Sequence, residues 1–279
     1  MRLFGMSFFG WLMIVACGTS NSAQQSNSVA ILHWQHDTLS INGDDGDWIK
    51  PLTYQDEQMG LQYSITNDLD NLYIMLNSNN SNTIQRILRA GLTVYINTHG
   101  VKQASGSAAI SFPTGNRVVK DGKMLNDKQE LLQNNRMALT NVEDYSLFGF
   151  KQIKIVENYD YGKPNKAGVE LAIGINSYKE LVYEVSIPLL SILSANEINT
   201  LTRNSMAIGM LIESLPELAG NGSGNGSGVS VGVGMGMGTY GSGGGIGISF
   251  GAPIGGGRKN MDKPAKLWKE ITLSKGSVN

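Results

Sequence analysis

Cysteine is almost absent: one residue in 279. That excludes an internal disulfide and any Cys-rich metal centre. Histidine is nearly as scarce, with three copies. Charge of one sign is missing too: 22 Lys+Arg stand against 23 Asp+Glu. Such a balance gives no concentrated basic surface to displace counterions from nucleic acid. Beyond the first 16 residues no apolar stretch reaches the ~18 residues that a membrane-spanning helix needs. H-E-x-x-H does not occur, the two G-x-S-x-G matches (228–232 and 247–251) fall in glycine-rich sequence, and no catalytic constellation is expected. A chain of this length without cross-links has to be held by an ordinary hydrophobic core.

The single cysteine is Cys17, preceded by Ile14-Val15-Ala16. Upstream lie one cation, Arg2, and a largely apolar run from Leu3 to Val15. This has the charged start and short apolar middle of a secretory signal. Ile14-Val15-Ala16-Cys17 resembles the bacterial lipoprotein lipobox. The resemblance implies removal of residues 1–16, acylation of the Cys17 thiol and attachment to a membrane. Losing Arg2 would leave 21 Lys+Arg against 23 Asp+Glu. Gly18, rather than Asp, follows the cysteine, which leans toward the outer membrane of a cell envelope.

Residues 17–38 open with small polar side chains and are expected to be a flexible tether. From residue 39 to 279 the pattern is mainly period-two alternation, the mark of half-buried strands. Leu61/Tyr63/Ile65 and Leu72/Ile74/Leu76 flank the turn Asn67-Asp68-Leu69-Asp70-Asn71 and predict a hairpin. Similar runs include Leu92/Val94/Ile96, Ala108/Ile110/Phe112, Ile153/Ile155 and Val169/Leu171/Ile173/Ile175. Leu181/Tyr183/Val185/Ile187, Met206/Ile208/Met210/Ile212 and Leu267/Lys269/Ile271/Leu273 complete the set. About ten such strands predict an all-β, antiparallel β-sandwich. Short helices are expected at Thr83–Arg89, Asp127–Arg136 and Leu189–Leu201. Residues 114–148 look like a polar, partly helical insertion. Residues 219–257 hold about half of the 35 glycines and look like a long loop.

Several local patterns point to chemistry. Gly236-Met237-Gly238-Thr239-Tyr240-Gly241 fits G-x-G-x-x-G. It has neither the preceding strand nor the following helix that dinucleotide binding requires. His33 and His36 lie three apart without a third ligand in register, so no metal is assigned to them. Asn42-Gly43-Asp44-Asp45-Gly46-Asp47 could offer oxygens to Ca²⁺, which takes roughly six to eight. Those residue types equally suit a tight turn. Asp68/Asp70 and Glu184/Glu213 could pair as glycosidase carboxylates, but spacing alone does not bring them together. Trp48 and Trp268 could form a stacking platform for sugar rings or be core residues.

The order of features carries a second resemblance. Leu39-Ser40-Ile41-Asn42-Gly43 leads through an acidic turn to Asp47-Trp48. Tyr63-Ser64-Ile65-Thr66-Asn67-Asp68 and Asp70-Asn71-Leu72-Tyr73-Ile74 follow. Tyr183-Glu184-Val185-Ser186-Ile187-Pro188 comes later, and Leu267-Trp268-Lys269-Glu270-Ile271 closes the series. This series resembles β-sandwich domains similar to family 9 carbohydrate-binding modules, in the setting of lipoproteins from Bacteroidetes-type bacteria. Asn42 departs from the Asp usual at its position, and no residue matches the paired tryptophans of sugar-binding members.

The sequence therefore predicts a lipid-anchored, non-catalytic binding module. Its ligand would be a carbohydrate or another envelope polymer. Tyr54, Tyr95, Tyr159 and Tyr161 are candidate contacts, and no ligand-binding residue is assigned more firmly. The competing expectation is an assembly protein that meets an envelope protein through residues 114–148 and the glycine-rich segment.

Overall fold

The computed structural model describes residues 29–115, 139–200, 205–214 and 263–276. Cys17, the expected helix 127–136, the glycine-rich loop 219–257 and the G-x-G-x-x-G run lie outside them. The described chain is an all-β sandwich of two sheets. Its thirteen strands are β1 (Ala30–Ile31), β2 (His33–Trp34), β3 (Tyr54–Asp56), β4 (Leu61–Asn67), β5 (Asn71–Ser78), β6 (Leu92–Asn97), β7 (Ala108–Ser111), β8 (Asp144–Phe148), β9 (Glu157–Asp160), β10 (Glu170–Ile175), β11 (Leu181–Pro188), β12 (Met206–Ile212) and β13 (Ala265–Thr272). One sheet has the order β1-β13-β12-β6-β7-β8-β9, and the other β10-β11-β5-β4-β2 with β3 also on β4.

Alternation along each strand builds the core. Leu61, Tyr63 and Ile65 of β4 and Leu72, Ile74 and Leu76 of β5 face Leu92, Val94 and Ile96 of β6 and Ile208 and Met210 of β12. Burying each such side chain contributes about 1.5–3 kcal/mol. Helix α1 (Ser81–Ala90) follows β5, starting at Asn80, whose side chain accepts from the amides of Asn82 and Thr83. It packs Ile84, Ile87 and Leu88 into the core. Its buried Arg86 donates to the carbonyls of Ile212 (3.1 Å), Glu213 (3.3 Å) and Lys263 (2.8 Å). One guanidinium thus holds the end of β12 beside the start of β13, the two roots of the long connection between them.

The folded body starts ahead of residue 39. Within the expected tether, β1 pairs with β13 and β2 with β4, both in parallel. All other pairs are antiparallel. Residues 30–34 therefore cross from one sheet to the other, with Leu32 turned into the core between them. The expected insertion 114–148 is also too long, since Asp144–Phe148 is a strand inside the larger sheet. Only Tyr145 and Leu147 of that strand enter the core, too few to give a clear alternating signal. Ile153 forms an isolated bridge with Phe150 rather than a strand, and Ile155 is exposed. The single helix expected at 189–201 is two short ones, α2 (Leu189–Ile192) and α3 (Ala195–Thr200).

The outer face of the six-stranded sheet is covered. Leu39 and Trp48 pack on Tyr73, Met75 and Val182, with Ile41 and Leu52 alongside. The cover is fixed by Glu184, which is fully buried on β11. Its carboxylate accepts from the amides of Asn42 (3.0 Å) and Gly43 (2.6 Å) and from the Trp48 indole (2.7 Å). Gly43 has φ +81°, and a Cβ there would meet the Ile173 backbone at 3.1 Å, so the loop needs a glycine to lie this close. The acidic turn spends its oxygens internally. Asp44 accepts from Gly46, Asp45 from Lys50 and Asn176, and Asp47 from Ser40. The run is a turn, and no group of three or more His, Cys, Asp and Glu among the described residues is placed to hold a metal.

Burial holds the Glu184 carboxyl above its usual range, against the lowering effect of its three donors. The folded state thus binds this proton more tightly than the unfolded chain does. The group's stabilisation is complete below about pH 4.5 and is lost as pH rises through the folded-state value. Urea denaturation across pH 4–8 should show the stability advantage of wild type over Glu184→Gln shrinking as pH rises. An advantage that grows with pH would reverse the assignment.

Candidate functional site

The outer face of the seven-stranded sheet carries the remaining candidate aromatics, half-buried among the buried Thr93, Asn97, Ala207, Gly209, Leu211 and Ser146. Its residues follow from the pleat: on β6 the core takes Leu92, Val94 and Ile96, so Thr93, Tyr95 and Asn97 face out. The same rule turns Ala207, Gly209 and Leu211 of β12 outward, with Lys266, Trp268 and Glu270 of β13. Ala109 and Ser111 of β7 and Ser146 and Phe148 of β8 join them.

The register aligns these residues. Trp268 pairs with Gly209, Gly209 with Tyr95, Tyr95 with Ala109, and Ala109 with Phe148. Five neighbouring strands thus carry a straight row in which aromatic and small side chains alternate. The Tyr95 and Trp268 rings lie 6.0 Å apart between centroids and 26° from parallel. Trp268 lies across Gly209, where an added Cβ would come within 2.7 Å of the indole. Glycine is required here for close approach, and the flat ring in turn shields its backbone. Both rings are half-buried, as is Phe148.

Polar rows border the aromatic one. On one side run Lys266, Leu211, Thr93, Ser111, Ser146 and Asn158. The Thr93 and Ser111 hydroxyls are 2.9 Å apart, and the Ser146 hydroxyl donates to Asn158 at 2.7 Å. On the other side are Glu270, Ala207 and Asn97, with Lys102 3.6 Å from Glu270. Burial, reinforced by Glu213, pushes the Tyr95 phenol above its ordinary pKa. The Trp268 Nε1 is shielded from water and has no acceptor. An unpaired buried donor costs free energy.

The other aromatic candidates are elsewhere. Tyr54 stacks on Tyr63 (5.1 Å) under Lys269, whose amine is 4.4 Å from the Tyr54 ring centre. Tyr159 lies on Tyr145 (5.3 Å), and Tyr161 on Phe112 (4.9 Å). All three pack against the core. Trp48 belongs to the covered face, so it forms no platform with Trp268. The suggested carboxylate pairs are engaged in structure as well. Asp68 accepts from the amides of Asp70 and Asn71 and the Tyr73 hydroxyl, and Glu184 holds the opening loop. Phe148 was missed because nothing in its own segment shows that it aligns with Tyr95; only the register does.

The chain matches no family model and no curated protein sequence. The residues of the motif series form two hydrogen-bonded groups. Asn42, Gly43 and Trp48 meet Glu184, and Asp68 closes the β4–β5 turn onto Tyr73.

Gly209→Val should lift the indole off the sheet. The expected result is a red-shifted, more quenchable Trp268 fluorescence, read against the remaining tryptophans in a Trp268→Phe control. Unchanged emission would mean that the ring does not rest on this glycine.

Proposed function

We propose that this chain is a lipid-anchored, non-catalytic carbohydrate-binding module whose ligand lies on the outer face of the seven-stranded sheet. The observation that carries this reading is the aromatic row Trp268–Gly209–Tyr95–Ala109–Phe148 between two polar rows. Pyranose rings combine apolar C–H faces with hydroxyls around their edges. A flat aromatic side chain takes the face, and flanking hydroxyl, amide and charged groups take the edges. The resemblance of the motif series to carbohydrate-binding modules supports the same reading. Cys17 would supply the anchor, and the site residues are Tyr95, Trp268 and Phe148.

A second reading, assembly with an envelope protein, draws on the exposed side chains of Leu69, Ile155 and Leu190. Their loops adjoin at one end of the sandwich, where Leu189 donates to the Asp70 carbonyl (2.7 Å) and Lys151 to the Ser191 carbonyl (2.9 Å).

A glycan array probed with the full chain in detergent, with calcium and with EDTA, separates the two readings. Glycan binding should appear in both conditions and fall about tenfold or more in Trp268→Ala and Tyr95→Ala. No hit in either condition rules out the module. For the anchor, Cys17→Ser should move the protein from the membrane to the soluble fraction, and unchanged partitioning would refute lipidation.

A further inference from the structure

We infer that Asn42-Gly43 is a latent self-modification site, unreactive while Glu184 grips the loop and converted irreversibly to aspartate or isoaspartate once the cover lifts. It concerns the covered face of the six-stranded sheet and is independent of any ligand on the other sheet.

The chemistry is that of an asparagine followed by glycine. The backbone nitrogen of Gly43 is the nucleophile, and the side-chain carbonyl carbon of Asn42 is the electrophile. The nitrogen gives its proton to water and forms a bond to Asn42 Cγ, and the side-chain nitrogen leaves as ammonia. Water then opens the cyclic imide. Breaking the bond from Cγ to the Gly43 nitrogen yields aspartate. Breaking the bond from the backbone carbonyl carbon of residue 42 yields isoaspartate, whose main chain runs through Cβ and Cγ. Glycine favours the ring because it has no Cβ to hinder it. Asn42-Gly43 is the one such dipeptide among the described residues.

Backbone geometry, rather than burial, withholds this reaction. Asn42 is exposed, so water can enter and ammonia can leave. Yet the amides of Asn42 and Gly43 both donate to the same Glu184 oxygen, at 3.0 and 2.6 Å. Two successive amides aimed at one atom form an anion-binding nest, here with Gly43 at φ +81°. Ring closure needs the Gly43 nitrogen swung into line with the Asn42 Cβ, and in that arrangement the two amides diverge. The nest and the ring exclude each other. Neighbouring contacts oppose the swing as well. The Asn42 side-chain oxygen accepts from the Asp44 amide at 2.8 Å, and the other Glu184 oxygen holds the Trp48 indole. Gly43 lies against the Ile173 backbone, and its carbonyl oxygen occupies the space a Cβ on Gly174 would need. The peptide cannot turn without leaving the sheet.

Folded proteins undergo local openings, and a loop with few apolar contacts is drawn from the less stable end of that range. Each lifting of the cover frees the Gly43 amide and permits the ring. Isoaspartate lengthens the main chain by a methylene, so the two amides no longer converge on the carboxylate. Tyr73, Met75 and Val182 then stay uncovered. A reversible opening is thus recorded as a permanent chemical mark.

The test is to incubate the full chain in detergent at neutral pH and follow the Asn42 peptide by mass spectrometry. Peptide mapping keeps it apart from Asn221-Gly222 and Asn225-Gly226. Conversion at Asn42 should be slower in the native chain than in urea by about tenfold or more. Glu184→Gln, which puts a weaker acceptor in place of the carboxylate, should raise the native rate by about threefold or more. Trp48→Phe, which keeps a ring in the cover and removes one donor, should raise it in the same direction and guards against a Glu184 variant that does not fold. Isoaspartate should be among the products. Native conversion as fast as in urea, a rate indifferent to both substitutions, or aspartate as the sole product would overturn the inference.

Discussion

The carboxylate of Glu184 is the point on which the two-sided character of this sandwich depends. A sheet with one face on the core still has a second face to manage, and β5 and β11 carry large apolar residues on both. Tyr73, Met75 and Val182 would face water without a cover. A loop with few apolar residues cannot stay in place by burial alone, because its ordering entropy is large. The three donors converging on one buried carboxylate supply the missing directionality, and they belong to residues that also bring Trp48 onto the sheet. Removing the acceptor would strand buried donors, the costly side of the hydrogen-bond balance.

Once that face is closed, the two sheets have different roles. The six-stranded sheet is buried on both sides and acts as a foundation. In the seven-stranded sheet β12 lies between β13 and β6, and its outward residues Ala207, Gly209 and Leu211 are all buried. Small side chains in the middle let larger ones lean inward from both neighbours, so Trp268 and Tyr95 lie down rather than stand. Rings held flat by packing have little rotamer freedom left to lose when a ligand arrives. Arg86 contributes from beneath, because it fixes β12 against β13 and so fixes the register on which the row depends.

Much of this fold was legible in the sequence. Leu61/Tyr63/Ile65 and the Asn67–Asn71 turn gave the β4–β5 hairpin, since alternation and turn chemistry are local properties. Strands 30–34 and 144–148 were not legible, because two to five residues with one or two core contacts carry no period. Lys269 shows the opposite limit: it continues the alternation of β13, and its ammonium is tolerated on an inward position because it rests over Tyr54. The candidate site was legible only in pieces. Tyr95 and Trp268 stood out as aromatics, whereas Tyr54, Tyr159 and Tyr161 stood out for the same reason and pack against the core. What separates them is pairing register, a long-range property that no single segment encodes.

The crossing segment at residues 30–34 has a mechanical consequence. It is bonded to both sheets at once, through Leu32 to Thr272 on one and Gln35 to Asn67 on the other. Any force applied upstream of Val29 is therefore delivered along two short parallel pairings, which carry it in shear across several hydrogen bonds together. Neither sheet can be pulled from its partner until that seam slips, and when it slips the Leu32 side chain leaves the core first. A domain pulled by its N-terminus thus meets load at the joint between its layers, on β13, the same strand that carries Trp268.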